Sequence, residues 1–309
     1  MGDVRVRLDH GTIITIGGND YCVTGFLSSD GASCLVYTAK RIPTEFEKHI
    51  GMPHIPAIIK EFYPKVLAEK EAISRHLLDL VPAPANKYEF DKFMQQFLQG
   101  AVKQVQFYGE GSIHSLAPSR VGYANNTVYT AVDSAIGTPL SIVEKQLTVE
   151  GVAQVIASLC EAVKELHDRE LLHLDIKPSN IFLFSNNGIL SNRVALFDFD
   201  TVMSIEEAQS GDANISFSPG WSAPEQGTNT NRPQYKNIST ATDVFTIGAV
   251  LYWAITGNKV TDDLLTKIKL REHDFLNGIH DIPSREGIRC FLEKTLQRDP
   301  RKRARITGG

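Results

Sequence analysis

The sequence has little cysteine, and the cysteines that it has are widely separated. There are four among 309 residues, and they form no Cys-x-x-Cys pair of the kind that binds metals or exchanges disulfides. Cys160 falls on the apolar face of a predicted helix, where a buried thiol is expected rather than a ligand. This pattern favours a reducing compartment, and we expect the cytoplasm.

Long apolar runs and a strong charge imbalance are also missing. The longest apolar run, Ile247 to Ile255, is far too short to span a bilayer, and residues 1–5 begin no apolar core of signal-peptide length. A net charge of −4 gives no reason to expect nucleic acid or an anionic membrane as a partner. With 42% hydrophobic residues, the composition is ordinary for a soluble globular protein of one large or two small domains.

One stretch carries specific chemistry: residues 173–180, His-Leu-Asp-Ile-Lys-Pro-Ser-Asn. Phosphoryl transfer needs a carboxylate that accepts the proton of a hydroxyl and an amide oxygen that holds a metal ion near the phosphates. Asp175 and Asn180, five residues apart on one loop, supply both groups. Lys177 adds positive charge where the transferring group becomes anionic. Alone, an Asp followed by an Asn is usually turn chemistry.

An acidic loop begins eighteen residues after Asn180. Asp198-Phe199-Asp200 comes directly after the apolar strand predicted at 194–197, and a carboxylate at such a strand end is a natural Mg²⁺ ligand. In this order and spacing, the two loops resemble those of the eukaryotic-type protein kinase catalytic domain, in its serine/threonine kinase-like form. The unusual sequences of the other loops resemble a bacterial member more than an animal signalling kinase.

The resemblance implies an α+β fold with two lobes. A small N-lobe built on an antiparallel sheet is expected at residues 1–134, and a larger helical C-lobe at 135–309. The similarity runs from about Tyr21 to Arg303, nearly the whole chain. The final helix of the family is not found after Arg303, so we expect the sequence to be a fragment of a longer protein.

The resemblance also assigns the cofactors, ATP and Mg²⁺, to residues of this chain. ATP is expected between the lobes, with Asn180 and Asp198 as Mg²⁺ ligands. Backbone groups at Asp133 and Ala135, in the hinge between the lobes, are expected to bind adenine. Asp175 is expected to be the catalytic base for a protein hydroxyl.

The phosphate-binding parts of the predicted N-lobe are incomplete. Between two strands predicted at 21–27 and 35–39, only Gly31 survives of the three glycines that the family places over ATP. Small residues in the other two places still let the backbone approach phosphate. Val36 is expected beside the nucleotide. Lys60, at the end of the apolar strand 57–60, matches the lysine that holds the α- and β-phosphates.

The glutamate that normally pairs with this lysine has no clear counterpart. The segment 88–107 has helical apolar spacing and precedes two predicted strands, but its matching positions are Gln96 and Gly100. An earlier stretch, 67–80, is also predicted to be helical and carries Glu71. Either Glu71 is the partner and 88–107 is an insert, or 67–80 is the insert and the ion pair is replaced. We expect the second.

Two further departures concern regulation. Leu174 replaces the arginine that normally pairs with an activation-loop phosphate, so activity independent of such phosphorylation is expected. Asp200 stands where the family has glycine. This change is expected to stiffen the loop while Asp198 keeps its metal-binding role, although a second acidic group can also disturb metal occupancy.

The end of the polar segment 201–226 resembles the peptide-positioning stretch of protein kinases. It contains Ser-Pro-Gly-Trp-Ser-Ala-Pro-Glu at 218–225, and the resemblance implies a buried pair between Glu225 and Arg303. Asp243, at the start of a helix apolar on nearly all sides, is expected to cap the backbone of the catalytic loop.

These features favour an ATP-dependent serine/threonine protein kinase. The altered glycine loop, the missing glutamate and Asp200 favour a second hypothesis, a pseudokinase that serves as a scaffold. Against it, all four expected functional side chains are retained, namely Lys60, Asp175, Asn180 and Asp198. A small-molecule phosphotransferase of the same fold is the third, but such enzymes usually lack the Lys-Pro after the Asp and the Ala-Pro-Glu segment. Substrate, pathway and oligomeric state stay open.

Overall fold

The structure, a computed structural model, describes residues 3–28, 33–109, 112–133, 137–143, 147–186, 189–228, 231–272 and 285–306. The chain forms two compact units. One comprises Met1–Gly137 with Phe197–Asp200, and the other comprises Thr138–Leu196 with Thr201–Gly309. The acidic loop thus groups with the first unit, and the division into two lobes at residue 134/135 stays a prediction.

The first unit is built on strands. They are β1 (Ile13–Ile16), β2 (Asn19–Ser28), β3 (Cys34–Arg41), β4 (Ile55–Phe62), β5 (Ile73–His76), β6 (Asp79–Pro82), β7 (Arg120–Ala124) and β8 (Thr127–Asp133). Six of them form an antiparallel sheet in the order β1-β2-β3-β4-β8-β7, and β5 and β6 form a separate two-stranded hairpin. The strands predicted from alternating apolar residues are confirmed.

The helices of the first unit are α1 (Glu45–His49), α2 (Lys65–Glu69) and α3 (Lys87–Gly109). Helix α3 confirms the helix predicted at 88–107. Its apolar face packs on the sheet, where the rings of Phe90 and Phe97 lie 5.3 and 5.6 Å from that of Phe62. Aromatic pairs at this spacing add to the free energy gained by burying the rings.

The prediction of a helix at 67–80 is wrong. Helix α2 ends at Glu69, Glu71 is exposed in a turn with a φ of 55°, and the chain continues as the hairpin β5-β6. Ile73 and Leu80 are buried, as the apolar pattern required. Their spacing of seven residues fits two turns of a helix and also fits two strands that fold back on each other, so periodicity alone could not decide.

Strand β4 carries a positive charge on one face and a negative charge on the other, because successive side chains of a strand point to opposite faces of the sheet. Lys60 points to one side, and Glu61 is fully buried on the other. The Glu61 carboxylate lies 2.7 Å from the guanidinium of Arg75 in the hairpin and accepts hydrogen bonds from the hydroxyls of Tyr37 (3.0 Å) and Tyr129 (2.6 Å). The hairpin is therefore attached to the sheet by a buried ion pair.

The second unit is mainly helical. Its helices are α4 (Leu140–Val143), α5 (Val149–His167), α6 (Ile205–Gln209), α7 (Thr240–Thr256), α8 (Asp262–Leu270) and α9 (Arg285–Thr295). Short strands complete it: β9 (Gly137–Pro139), β10 (Leu171–Leu172), β11 (Ile181–Asn186), β12 (Ile189–Leu196) and β13 (Met203–Ser204). As predicted, α7 is a core helix, buried from Thr242 to Leu251. Within the described ranges, no helix combines the length and apolar character needed to cross a membrane.

We predict that Arg75→Met destabilises the protein by about 3–5 kcal/mol, because it leaves the Glu61 carboxylate buried without its ion-pair partner. Chemical denaturation measures the free energy of unfolding. The matched control is Lys65→Met, which removes the half-exposed pair with Glu69 and should cost less than about 1 kcal/mol. Equal losses in the two variants would contradict a structural role for the buried pair.

Candidate active site

A buried carboxylate fixes the start of the loop that carries Asp175. The oxygens of Asp243, at the beginning of α7, accept hydrogen bonds from the backbone N–H groups of His173 and Leu174, both at 2.9 Å. A ring nitrogen of His167 lies 3.0 Å from the same carboxylate. Leu174 has a φ of 63°, a conformation that costs free energy for a residue with a side chain. The predicted capping role of Asp243 is confirmed, and it holds a strained backbone.

Three predicted side chains meet on this loop. The ammonium of Lys177 lies 2.7 Å from Oδ2 of Asp175. The amide nitrogen of Asn180 donates to the backbone carbonyl of Asp175 at 2.9 Å and to its Oδ2 at 3.2 Å. Because the Asn180 nitrogen is engaged in this way, the amide oxygen is the atom suited to a cation. The loop therefore combines a proton acceptor, a positive charge and a hard oxygen ligand.

Ser218 joins this cluster, although no specific role was predicted for it. Its hydroxyl donates to Oδ1 of Asp175 at 2.7 Å, and the ammonium of Lys177 lies 3.4 Å from the same hydroxyl. The available signal was its position at the start of the stretch 218–225. The Asp175 carboxylate thus receives a serine hydroxyl in the geometry that general-base catalysis requires.

In the first unit, Lys60 pairs with Asp198. The ammonium lies 3.3 Å from Oδ1 of Asp198, and each side chain is 13% exposed. It also lies 4.8 Å from the centre of the Phe197 ring. Asp198 has a φ of 72°, so its backbone, like that of Leu174, is left-handed. Val36 is buried in β3, directly opposite Lys60 in the strand register.

The electrostatics of this pair keep the lysine charged. Burial alone would lower the pKa of Lys60, but the carboxylates of Asp198 and Asp200 act in the opposite direction and the pKa is raised. The nearby Cys34 adds no charge at neutral pH, because burial raises the pKa of its thiol to about 12. Lys60 is therefore an ammonium ion suited to bind phosphate.

Helix α3 brings no glutamate to Lys60. Gly100 is buried against the acidic loop, and a methyl carbon built there would lie 2.6 Å from Oδ1 of Asp200 and 2.8 Å from its Cα and N atoms. Since Glu71 is exposed in its turn, the structure favours the alternative in which the usual ion pair is replaced. The ring of Phe199 packs on Phe107 of α3, with centres 5.8 Å apart.

The structure describes only one of the three residues that were predicted for the adenine site and the phosphate loop. Gly31 and Ala135 lie outside the described residues. The carboxylate of Asp133 accepts a hydrogen bond from the hydroxyl of Tyr21 at 3.0 Å, and its backbone N–H donates to the hydroxyl of Ser119 at 2.9 Å. The adenine-binding role of Asp133 stays a prediction.

Leu174 anchors the polar segment 201–226 through apolar contacts. It is fully buried in a cluster, here called the Leu174 cluster, that also contains Leu172, Met203, Ala208, Ile215 and Ile238. In addition, the side-chain amide of Gln226 donates to the backbone carbonyls of Leu174 (2.8 Å) and Ser216 (3.0 Å). An arginine–phosphate contact is not needed to hold this arrangement.

The predicted pair between Glu225 and Arg303 is confirmed. The guanidinium donates two hydrogen bonds to the carboxylate, at 2.5 and 2.8 Å, and both side chains are buried. The hydroxyl of Thr242 donates to the same carboxylate at 2.8 Å. This bidentate pair fixes the end of the stretch 218–225 to α7 and to the C-terminal part of the unit.

The fold and these two residue clusters define a phosphotransferase-like domain, and comparison with known proteins identifies its family. Residues 123–308 match the family model described as the protein kinase domain. The chain belongs to this family. The match begins after Lys60, so the assignment of that lysine depends on its position in β4 and on its pairing with Asp198.

The curated relatives include serine/threonine-protein kinases from an animal and a bacterium. The chain is 30% identical to serine/threonine-protein kinase ULK3 of Xenopus laevis over 164 residues, covering 52% of this chain and 33% of that protein. It is 29% identical to serine/threonine-protein kinase Pkn1 of Myxococcus xanthus over 139 residues, covering 44% and 19%. The chain thus spans well under half the length of these relatives.

Among solved structures, the apo form of PpkA-294 has the same fold. The TM-score is 0.67 with 20% sequence identity, and the match covers 96% of this chain and 95% of the other. The likeness supports the α+β protein kinase fold that was predicted from the two loops.

We predict that Asp243→Asn destabilises the protein by about 1–3 kcal/mol near neutral pH, because the amide group cannot accept both backbone N–H bonds. Although burial opposes it, the His167 and backbone hydrogen bonds hold the pKa of Asp243 below its usual 3.8. The carboxylate's contribution is therefore full above about pH 4 and is lost as the pH falls through the lower, folded-state pKa.

Denaturation curves at several pH values test this prediction. The difference between wild type and Asp243→Asn should shrink below pH 4, whereas Asp263→Asn, at an exposed position, should change little at any pH. A constant difference across the acid range would show that Asp243 acts without its charge.

Proposed function

We propose that this domain transfers the γ-phosphate of Mg-ATP to a serine or threonine hydroxyl of a protein. The observation that carries the proposal is the group of side chains around Asp175, in which the Ser218 hydroxyl already donates to the carboxylate at 2.7 Å. A substrate hydroxyl in that place would be oriented, and its proton would pass to Asp175. Lys177, 2.7 Å from the carboxylate, adds positive charge beside the acceptor.

The donor groups fit the cofactor that the family uses. When bound, Mg-ATP supplies the phosphoryl group together with a cation that offsets its negative charge. The carboxylate of Asp198 and the amide oxygen of Asn180 are hard ligands of the type that Mg²⁺ prefers, and they are the groups that we assign to it. We assign the charged ammonium of Lys60 to the phosphates.

A protein acceptor is favoured over a small molecule by the segment 218–225. The buried pair between Glu225 and Arg303 gives this segment a fixed conformation beside Asp175, which suits the positioning of a peptide. The names of the two curated relatives support a serine/threonine acceptor.

We also propose a cytoplasmic location, which is supported by the four free cysteines, Cys22, Cys34, Cys160 and Cys290.

Label transfer from γ-radiolabelled Mg-ATP to the chain itself and to a generic basic protein tests this function. We expect transfer by the wild type and a loss of at least about a thousandfold in Asp175→Asn, which keeps the shape of the side chain but cannot accept the proton. Asp198→Ala should lose transfer and also the stabilisation of the fold by Mg-ATP. Asp212→Asn, an exposed change of the same charge, serves as the control.

Full turnover in Asp175→Asn would overturn the assignment of the base. A wild-type protein that is stabilised by Mg-ATP but transfers no label to either acceptor would favour the scaffold hypothesis, which the absence of a glutamate in the middle of α3 also favours. Label on a small metabolite but on no protein would point to a small-molecule phosphotransferase.

A second prediction concerns the activation segment. Because the Leu174 cluster holds the segment without phosphate, the double variant Ser210→Ala, Ser216→Ala should retain transfer within about twofold of wild type. Leu174→Arg places a guanidinium among fully buried apolar side chains and should abolish transfer or folding. Initial rates before and after phosphatase treatment provide the measurement. A large loss after phosphatase treatment would contradict the prediction.

A further inference from the structure

A short segment ahead of the sheet is held tightly on the first unit. This segment, residues 3–8 and here called the strap, lies before the kinase resemblance, which begins at about Tyr21, and outside the family match at 123–308. Two of its side chains are nonetheless buried, Arg5 at 3% exposure and Leu8 at 6%. An arginine is rarely buried to this degree unless it is paired, so the partners of Arg5 indicate what the strap does.

The guanidinium of Arg5 joins the ends of two strands. Its Nη1 atom donates to the backbone carbonyls of Cys34, at 3.1 Å, and of Tyr63, at 2.9 Å. Cys34 is the first residue of β3, and Tyr63 directly follows the last residue of β4. The backbone N–H of Tyr63 also donates to the carbonyl of Ser33 at 2.9 Å. Arg5 therefore binds both strands at the point where the ladder between them ends.

The charge of Arg5 is balanced within the strap itself. The Nη2 atom lies 2.6 Å from Oδ2 of Asp3, and the Nε atom donates to the two carboxylate oxygens at 3.0 and 3.1 Å. The Arg5 side chain is fully buried, and that of Asp3 is 8% exposed. Such a bidentate pair fixes the plane of the guanidinium. The Nη1 atom is thereby aimed at the two carbonyls.

Further hydrogen bonds hold the strap against the unit. The carbonyl of Val6 accepts from Nε of Arg75 at 3.0 Å, and the N–H of Leu8 donates to the hydroxyl of Tyr37 at 3.2 Å. Arg75 and Tyr37 also bind the buried carboxylate of Glu61. The strap is thus connected to the buried network of β4 as well as to the strand ends.

The strand ends lie close to the residues that we assign to the nucleotide. In the register between β3 and β4, Cys34 pairs with Phe62 and Val36 pairs with Lys60. Each strand thus carries one of the assigned residues two positions inside the end that Arg5 binds, about 7 Å away along an extended strand. Strand ends open more readily than strand centres. A contact that closes this end therefore limits the movement of both assigned residues.

The order of this end matters for binding under the proposed function. A Lys60 ammonium on a mobile strand end has to be ordered when it meets the phosphates, and that cost lowers the affinity. We propose that Arg5 is a positioning residue for the nucleotide site: by binding the carbonyls of Cys34 and Tyr63 together, it keeps Lys60 and Val36 ordered in advance for Mg-ATP. This role rests on the proposed function, because it concerns the residues that are assigned to the nucleotide.

The first test compares the kinetics of the wild type with those of the double variant Asp3→Asn, Arg5→Met, which removes the donors and leaves neither charge of the pair buried alone. We expect the KM for Mg-ATP to rise by about tenfold, the ratio that corresponds to the loss of about one hydrogen bond to a charged group. The kcat and the KM for the protein acceptor should stay within about twofold of wild type, because the groups around Asp175 are unchanged.

Two control variants separate this role from a general loss of stability. Arg7→Met removes the exposed arginine of the strap, whose guanidinium lies 3.7 Å from the centre of the Phe26 ring, and should leave the KM for Mg-ATP within about twofold of wild type. Leu265→Ala removes a buried side chain of the second unit and should lower the melting temperature without changing that KM. A rise in KM in Leu265→Ala as large as that in the double variant would overturn the proposal.

Hydrogen exchange tests the contact without nucleotide or transfer. In the unliganded double variant, the amides of residues 34–37 and 59–63 should exchange at least about fivefold faster than in the wild type, whereas those of α7 should be unchanged. Exchange at these strand ends that is as slow as in the wild type would contradict the contact on which the proposal depends.

The remaining outcomes are distinct. A wild-type KM for Mg-ATP in the double variant overturns the role of Arg5 while the proposed function stands. A wild-type protein that neither binds Mg-ATP nor transfers label shows that the proposed function has failed, and hydrogen exchange then decides separately whether Arg5 holds the strand ends.

If the double variant does not fold, Arg5→Lys decides. Its ammonium can still pair with Asp3 but cannot also span both carbonyls in the manner of the planar guanidinium, so the KM for Mg-ATP should rise by about threefold. An unchanged KM in Arg5→Lys then overturns the proposal.

Discussion

The buried charges of strand β4 are the constraint on which the first unit depends. Adjacent residues of one strand point to opposite faces, so Lys60 and Glu61 each need a partner on its own side. Arg75 and two tyrosine hydroxyls surround the glutamate, and Asp198 pairs with the lysine at 3.3 Å. The hairpin β5-β6 and the acidic loop are thus both attached to the central sheet by an ion pair.

In the second unit, buried backbone N–H groups need a partner in the same way as the buried charges of β4. Asp243 satisfies two N–H groups that would otherwise be buried without acceptors, and in doing so it holds Leu174 in a left-handed conformation. The side chain of that leucine then fills an apolar cluster, while the next residue, Asp175, meets Lys177, Asn180 and Ser218. One buried carboxylate therefore orders both the reactive loop and the segment that packs on it.

The residues of the two clusters were predictable because each lies in a short local pattern. The Asp-to-Asn spacing, the acidic loop after a strand and the lysine at the end of another strand pointed to Asp175, Asn180, Asp198 and Lys60, and the structure pairs Asn180 with Asp175 and Lys60 with Asp198. Two kinds of information were missing. Apolar periodicity did not distinguish a helix from a hairpin between 67 and 80, and contacts between distant positions left no local pattern. Ser218 lies 43 residues from Asp175, and Gly100 lies farther still from Asp200.

The Leu174 cluster has a consequence for how the order of segment 201–226 responds to its surroundings. The ion pair between an arginine and a phosphate group is weakened by salt, and it is lost when a hydrolase removes the phosphate. Contacts among leucine, isoleucine and methionine are not screened by salt and contain no group that a hydrolase removes, but they weaken on cooling because the hydrophobic effect itself does. Temperature, rather than charge screening or the balance of modifying enzymes, is then the condition to which the order of this segment responds.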